Sequence, residues 1–109
     1  QQRSRIKIAA FFTLMKTIPE LLNSKSTTII DVRSPQELAS GAIPGAINIP
    51  VDQINERIEE IREMKSPFLV YCRSGARSGM AASIMLQAGI KEVFNGGGIS
   101  QLQFHLQFS

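Results

Sequence analysis

One short segment of this chain combines a lone cysteine with glycine, serine and two arginines. It follows a strand-like apolar run and consists of Cys72, Arg73, Ser74, Gly75, Ala76, Arg77 and Ser78. Gly75 can adopt backbone angles closed to other residues, so successive N–H groups can point inward as an anion-binding nest. Arg73 and Arg77 are permanent cations, and a helix beginning near Ser78 adds the positive end of its dipole. These surroundings predict that the pKa of Cys72 falls from about 8.5 toward or below neutrality.

A lone cysteine is more often a small buried core residue than a nucleophile. Here two arginines and a glycine lie within six residues, which would be a poor way to build an apolar core. We therefore interpret Cys72 as a reactive thiol. Because the chain has one cysteine, no intramolecular disulfide can form. The single histidine, His105, is far from Cys72 in sequence and is expected to be structural or exposed, so neither a metal site nor another cofactor is predicted.

Strand-like and helix-like runs alternate around this segment. Strand patterns occupy residues 27–32, 46–49, 68–71 and 91–94, and an asparagine and three glycines follow the last of them. Helix patterns occupy residues 17–23, 34–41, 54–63 and 78–88, of which 54–63 is amphipathic. Thr17 with Glu20 and Ser34 with Glu37 have the capping-box spacing that starts the first two, and Gly41 can end the second in a left-handed cap. This order predicts an α/β fold with a small parallel sheet of about four to five strands and helices on both faces. In such sheets ligands bind at the carboxyl ends of the strands, where Cys72 leaves its strand.

Three motifs in this order resemble the rhodanese family. They are IDVRSPQE at residues 30–37, GAIPGAINIP at 41–50 and VYCRSGARS at 70–78. The resemblance covers about residues 17–102 and implies a rhodanese-like fold. It also implies a single-domain sulfurtransferase that moves sulfane sulfur from a small anionic donor such as thiosulfate to a thiophilic acceptor such as cyanide or a thiol. Cys72 would be the nucleophile that becomes the persulfide, and a protein partner in a sulfur relay is a further acceptor that we consider.

The resemblance also assigns supporting residues. The segment from Arg73 to Arg77 matches the active-site loop, and Asp31 and Arg33 match the aspartate and arginine that support it from the neighbouring strand. For these two we favour an ion pair that orders the end of the sheet over direct catalysis. Ala42 departs from the family because many relatives have histidine there. No tryptophan follows the glycine run, which we expect to change packing and leave the loop unaffected.

Two other functions share these features. Cysteine phosphatases of this fold have arginine six positions after the cysteine, whereas Arg77 comes five after Cys72. Rhodanese-like modules that serve only in binding or regulation commonly lack the cysteine, so its presence argues against that alternative.

Length, composition and charge limit the kinds of protein that this chain can be. With 109 residues and 43% hydrophobic residues, the chain suits one domain, which we place at residues 17–109. Residues 1–16 form a basic and apolar segment with four cations and no acid, so the net charge of +3 is concentrated there. The sequence has no stripe of basic residues with aromatic residues among them, so nucleic-acid binding is not predicted. The apolar run 8–15 is far shorter than the ~20 residues of a membrane span. We expect a cytoplasmic protein, or a periplasmic one if residues 1–16 are the remnant of a signal segment.

Overall fold

A computed structural model describes residues 16–107 of the chain. The strands are β1 (Thr28–Asp31), β2 (Ile47–Asn48), β3 (Phe68–Cys72) and β4 (Val93–Gly98). The α-helices are α1 (Ile18–Asn23), α2 (Ile58–Arg62), α3 (Ala76–Gln87) and α4 (Ile99–Gln107), and 3-10 helices cover Pro35–Ser40 and Val51–Gln53. The four strands are parallel and lie in the order β2-β1-β3-β4. This arrangement confirms the predicted α/β class. The predicted N-terminal segment lies outside the described residues, apart from Lys16.

β3 lies inside the sheet, between β1 and β4, and is buried along its whole length. Successive side chains point to opposite faces of a strand. Phe68, Val70 and Cys72 pack on one face with residues of α2 and α3. Leu69 and Tyr71 pack on the other face with residues of α1 and α4. Helices therefore cover both faces, which explains why this strand is an unbroken apolar run.

Local sequence signals were sufficient for α1 and only partly sufficient for α2. α1 begins at the predicted cap, because the Thr17 Oγ1 accepts a hydrogen bond from the Glu20 N–H at 3.3 Å. The amphipathic stretch that predicted one helix over 54–63 is divided in the structure. A 3-10 turn precedes Ile54, and α2 covers only its second half. Ile54 and Ile61 are nevertheless both fully buried, as the spacing predicted.

The predicted helix over 34–41 is a six-residue 3-10 helix rather than an α-helix. The helix begins with the predicted capping box, since the Ser34 N–H donates to Glu37 Oε1 at 3.0 Å. Gly41 ends this helix as predicted, with a positive φ of +114° and its N–H bonded to the Leu38 carbonyl, but its ψ of 158° differs from that of the left-handed helical cap that we expected. The carbonyl of Gly41 accepts a hydrogen bond from Arg33 Nη2 at 2.7 Å, and the chain leaves the helix with an extended ψ.

The C-terminal part of the sheet differs from the prediction. β4 extends through the glycine run that we expected to follow it. Gly98 pairs with Cys72 in register, and a Cβ at Gly98 would lie 2.5 Å from the Arg73 carbonyl oxygen. Glycine is therefore required where β4 passes the Cys72 loop. α4 was not predicted, and α3 begins at Ala76 instead of Ser78. No helix in the described part of the chain is long and apolar enough to cross a membrane.

Candidate active site

The cysteine sulfur lies in a cradle of backbone N–H groups at the carboxyl end of β3. Cys72 is the last residue of that strand and is fully buried. Its Sγ accepts hydrogen bonds from the Gly75 N–H at 3.0 Å and from the Ser78 N–H at 3.4 Å. Gly75 has φ +101°, a left-handed value that turns the chain into α3 directly after it. The loop therefore presents N–H groups of the first turn of α3 to the sulfur.

These hydrogen bonds decide the protonation of the sulfur. Burial raises the pKa of the Cys72 thiol, but hydrogen bonds from the Ser78 side chain and from the N–H groups of Ser78, Gly75 and Ser74 lower it to about 7. The direction agrees with the prediction. The main favourable contributions come from the loop itself, whereas the sequence argument also relied on the arginines.

Arg77 does not face the sulfur as an unpaired cation. Its Nη1 and Nη2 donate to the two carboxylate oxygens of Glu37 at 2.6 Å and 3.0 Å. Hydrogen bonds from Arg77 and from Ser34 lower the pKa of Glu37 to about 2, so this carboxyl is ionised throughout the neutral range. The capping-box pattern identified Glu37 only as a helix-start residue. Its contact with a loop 40 positions away depends on the tertiary fold.

Arg73 is the exposed cation of the loop. Within residues 16–107 no carboxylate pairs with it. It borders a cleft of about 330 Å³ whose other lining residues are Arg33, Glu37, Ser40, Ile99, Ser100 and Gln103. The cleft places a fixed positive charge beside the loop that holds Cys72. Cys72, which is fully buried, is not among the residues that line the cleft.

Asp31 and Arg33 form a buried ion pair beneath the loop. Arg33 Nη2 donates to Asp31 Oδ2 at 2.7 Å and Nε donates to Oδ1 at 3.0 Å. Arg33 Nη1 also donates to the Glu37 carbonyl at 3.4 Å, and the side chain of Glu37 in turn holds Arg77. This geometry is that of the ordering ion pair favoured by the sequence argument. It connects β1 to the Cys72 loop through the 3-10 helix.

Tyr71 completes this buried network, and sequence reasoning missed it. Its hydroxyl donates to Asp31 Oδ2 at 2.7 Å and accepts from the Ile43 N–H at 3.0 Å. Burial raises the pKa of Tyr71 to about 12, so the phenol stays protonated as a donor. The available signal was a tyrosine in an otherwise apolar buried strand, because a buried hydroxyl needs a partner.

Asn95 of β4 is the second residue that the sequence argument missed. Its Nδ2 donates to the Gly75 carbonyl at 3.2 Å, and its Oδ1 accepts from the Gly97 N–H at 2.9 Å. The Ser78 hydroxyl donates to the same Oδ1 at 2.7 Å and lies 3.4 Å from the Cys72 Sγ. The only sequence signal was a polar residue directly before the glycine run.

Two residues discussed from the sequence lie away from the sulfur contacts. Ala42 is exposed and supplies no polar group. His105 is half-buried in α4, with its ring 6.2 Å from that of Phe104 in an edge-on arrangement. Among residues 16–107 no group of three or more His, Cys, Asp or Glu side chains could hold a metal ion.

Comparison with known proteins decides the family. The model of the rhodanese-like domain matches residues 15–103. The chain belongs to the rhodanese family.

Named relatives agree with that assignment. A sulfurtransferase of Allochromatium vinosum is 39% identical over 75 residues, which cover 69% of this chain and 69% of the relative. The thiosulfate sulfurtransferase PspE of Escherichia coli is 36% identical over 74 residues, which cover 67% of this chain and 71% of PspE. A solved rhodanese with anions from E. coli is 36% identical and superimposes with a TM-score of 0.62, over 68% of this chain and 88% of that one.

Proposed function

We propose that this rhodanese takes sulfane sulfur from a small anionic donor such as thiosulfate, carries it as a persulfide on Cys72, and passes it to an acceptor. The acceptor is cyanide, a small thiol or the cysteine of a protein in a sulfur relay. The observation that carries the proposal is the position of the Cys72 Sγ among the N–H groups of Gly75 and Ser78, with a pKa of about 7. A thiolate is the nucleophilic form of cysteine, and a pKa of about 7 makes it available at neutral pH.

In the first half-reaction, the Cys72 thiolate attacks the outer sulfur of the donor. A bond forms between Sγ and that sulfur, while the bond from the outer sulfur to the sulfonate group breaks. The electron pair of that bond leaves with sulfite. Arg73, at the edge of the cleft, balances the negative charge of the donor as it approaches. No general base is needed, because the thiolate is already populated at neutral pH and is the form that attacks.

In the second half-reaction, the acceptor attacks the outer sulfur of the persulfide. The bond between the two sulfur atoms breaks, and its electron pair returns to the Cys72 Sγ. The N–H groups of Gly75 and Ser78 stabilise the charge that develops on this leaving group. The same cradle therefore assists both half-reactions.

Burial of the sulfur favours sulfur transfer over phosphoryl transfer. The Cys72 side chain is fully buried, and the Gly75 N–H donates directly to its Sγ at 3.0 Å. A persulfide adds a single atom to this ring, whereas a phosphoryl group must place a tetrahedral centre and its oxygens within it. The loop is also one residue shorter between Cys72 and Arg77 than in the phosphatases.

The proposal is tested by the mass of the protein after incubation with thiosulfate. We expect the parent to gain one sulfur atom and to lose it when cyanide is added, with thiocyanate released. Cys72→Ser is the matched control, since its hydroxyl is similar in size but forms no persulfide. If the parent gains no sulfur from thiosulfate, or if Cys72→Ser gains as much, the proposed function is wrong.

A further inference from the structure

The Ser78 hydroxyl lies between two groups that compete for its one proton. Its Oγ is 3.4 Å from the Cys72 Sγ and 2.7 Å from Asn95 Oδ1. A serine hydroxyl has a single donor and can accept through its lone pairs. Ser78 therefore cannot donate to the sulfur and to Asn95 at the same time.

The backbone fixes which atom of the Asn95 amide faces Ser78. The Gly97 N–H needs an acceptor and lies 2.9 Å from Oδ1, while the Gly75 carbonyl needs a donor and lies 3.2 Å from Nδ2. Rotating the amide by half a turn would lose both bonds. The side chain has room because residue 79 is glycine, where a Cβ would lie 3.3 Å from Nδ2. Asn95 thus presents a permanent acceptor to the Ser78 hydroxyl.

We propose that Asn95 is a positioning residue that holds the Ser78 hydroxyl proton while Cys72 is uncharged and releases it to the sulfur when Cys72 is a thiolate. With the thiol, S–H donates to Ser78 Oγ and Ser78 donates to Asn95. With the thiolate, the hydroxyl turns and donates to Sγ, because a charged acceptor forms the stronger hydrogen bond. No proton leaves the serine, so the hydroxyl only rotates.

The consequence for turnover rests on the proposed function. In the persulfide the Cys72 Sγ is neutral and a weak acceptor, so the hydroxyl returns to Asn95. When the acceptor attacks the outer sulfur, the electron pair of the S–S bond moves to Sγ, and the hydroxyl turns back to stabilise it. Ser78 thereby assists the departure of Cys72 as a thiolate, and Asn95 keeps the hydroxyl in place between these events.

The test uses this 109-residue chain and its variants Ser78→Ala, Asn95→Leu and the double mutant of the two. Leucine keeps the branched shape and the number of side-chain heavy atoms of the exposed Asn95 and removes both of its polar atoms. The charged groups around the loop are Arg73, Arg77 with Glu37, and Asp31 with Arg33, and every variant retains them. The pKa of Cys72 is measured from the pH dependence of alkylation by iodoacetamide, which needs no sulfur transfer.

Ser78→Ala should raise the pKa of Cys72 by about one unit, because the thiolate loses a donor. Asn95→Leu should lower it by about half a unit, because the thiol form loses the bond from Ser78 to Asn95. In the Ser78→Ala background, Asn95→Leu should leave the pKa unchanged. Both single substitutions remove contacts of the loop. If Asn95 acted only by holding the loop in shape, Asn95→Leu would change the pKa of Cys72 equally with and without the Ser78 hydroxyl.

Asn95→Asp gives a second, independent reading. It keeps the Oδ1 acceptor but holds the Ser78 proton more strongly, so it should raise the pKa of Cys72, and by less when Ser78 is alanine.

The proposal would be overturned if the Asn95 variants changed the pKa of Cys72 equally with and without the Ser78 hydroxyl. It would also be overturned if Asn95→Leu increased that pKa. Persulfide discharge by cyanide should slow about tenfold in Ser78→Ala. Absence of any sulfur uptake by the parent would contradict the proposed function and leave the titration result standing.

Discussion

Glu37 holds the guanidinium of Arg77 through two hydrogen bonds, Nη1 to Oε1 at 2.6 Å and Nη2 to Oε2 at 3.0 Å. Each partner offsets the charge of the other. Arg73 is then the loop cation that no carboxylate neutralises within residues 16–107. Under the proposed function we therefore expect an anionic donor to meet Arg73 and the backbone N–H groups, while Arg77 connects the loop to the 3-10 helix.

Glu37→Gln should favour donors of higher negative charge. Glutamine keeps an Oε1 acceptor for the Ser34 N–H but leaves the charge of Arg77 uncompensated. We expect the KM for doubly charged thiosulfate to fall about threefold. The KM for singly charged methanethiosulfonate should fall less. Steady-state rates with cyanide as the fixed acceptor measure both, and identical KM values in parent and variant would show that Glu37 has no influence on donor charge.

The pH dependence of alkylation should follow the thiolate of Cys72. The pKa of this residue is lowered from 9.0 to about 7, so the thiolate is populated above that pH and is lost as the pH falls through it. The rate with iodoacetamide should decrease about tenfold for each unit below the midpoint and become constant above it. A midpoint near 9.0 would mean that the N–H cradle does not stabilise the thiolate.

Tyr71→Phe should destabilise the protein without removing the reactive sulfur. The buried Ile43 N–H would lose its acceptor and Asp31 Oδ2 would lose a donor. We expect a loss of about 1–3 kcal/mol in the free energy of unfolding, measured by urea denaturation. Because Tyr71 and Cys72 point to opposite faces of β3, the pKa of Cys72 should change little. Unaltered stability would show that this hydroxyl network contributes nothing.

Loop length should separate sulfur transfer from phosphatase activity. The parent should hydrolyse aryl phosphates negligibly while it transfers sulfur from thiosulfate to cyanide. Inserting one glycine between Gly75 and Ala76 should widen the ring, weaken sulfur transfer and permit vanadate binding. The insertion adjoins β4, since a Cβ at Gly75 would lie 3.3 Å from the Gly97 Cα, so its folding is checked by circular dichroism. Efficient phosphate-ester hydrolysis by a parent that gains no sulfur would replace our account with the phosphatase alternative.

The sequence predicted the fold well wherever local patterns specify it. The apolar run at β3, the cap of α1 and the alternation of strands with helices were sufficient to infer a parallel sheet. The glycines of β4 were placed after the strand rather than within it. Glycine is unfavourable in strands by local preference, and its presence here is required by the approach of the Arg73 carbonyl to Gly98.

The candidate site could be predicted only in part, because contacts between segments that are distant in the sequence leave no local pattern. Cys72 and its loop are contiguous in the chain, so their chemistry is visible in the sequence. The partners that orient the loop come from other elements: Glu37 from a 3-10 helix and Asn95 from β4. No local pattern connects residues that lie 40 and 20 positions from their contacts. Such pairs become apparent only when the sheet brings the strand ends together.

The mass of the intact protein shows directly whether Cys72 carries sulfur. The parent and Cys72→Ser are incubated with thiosulfate and separated from excess donor. Their masses are then measured by mass spectrometry before and after cyanide is added. Our account predicts that the parent alone gains one sulfur atom, which cyanide removes as thiocyanate. A parent whose mass does not change, or a sulfur gain that persists in Cys72→Ser, would contradict it.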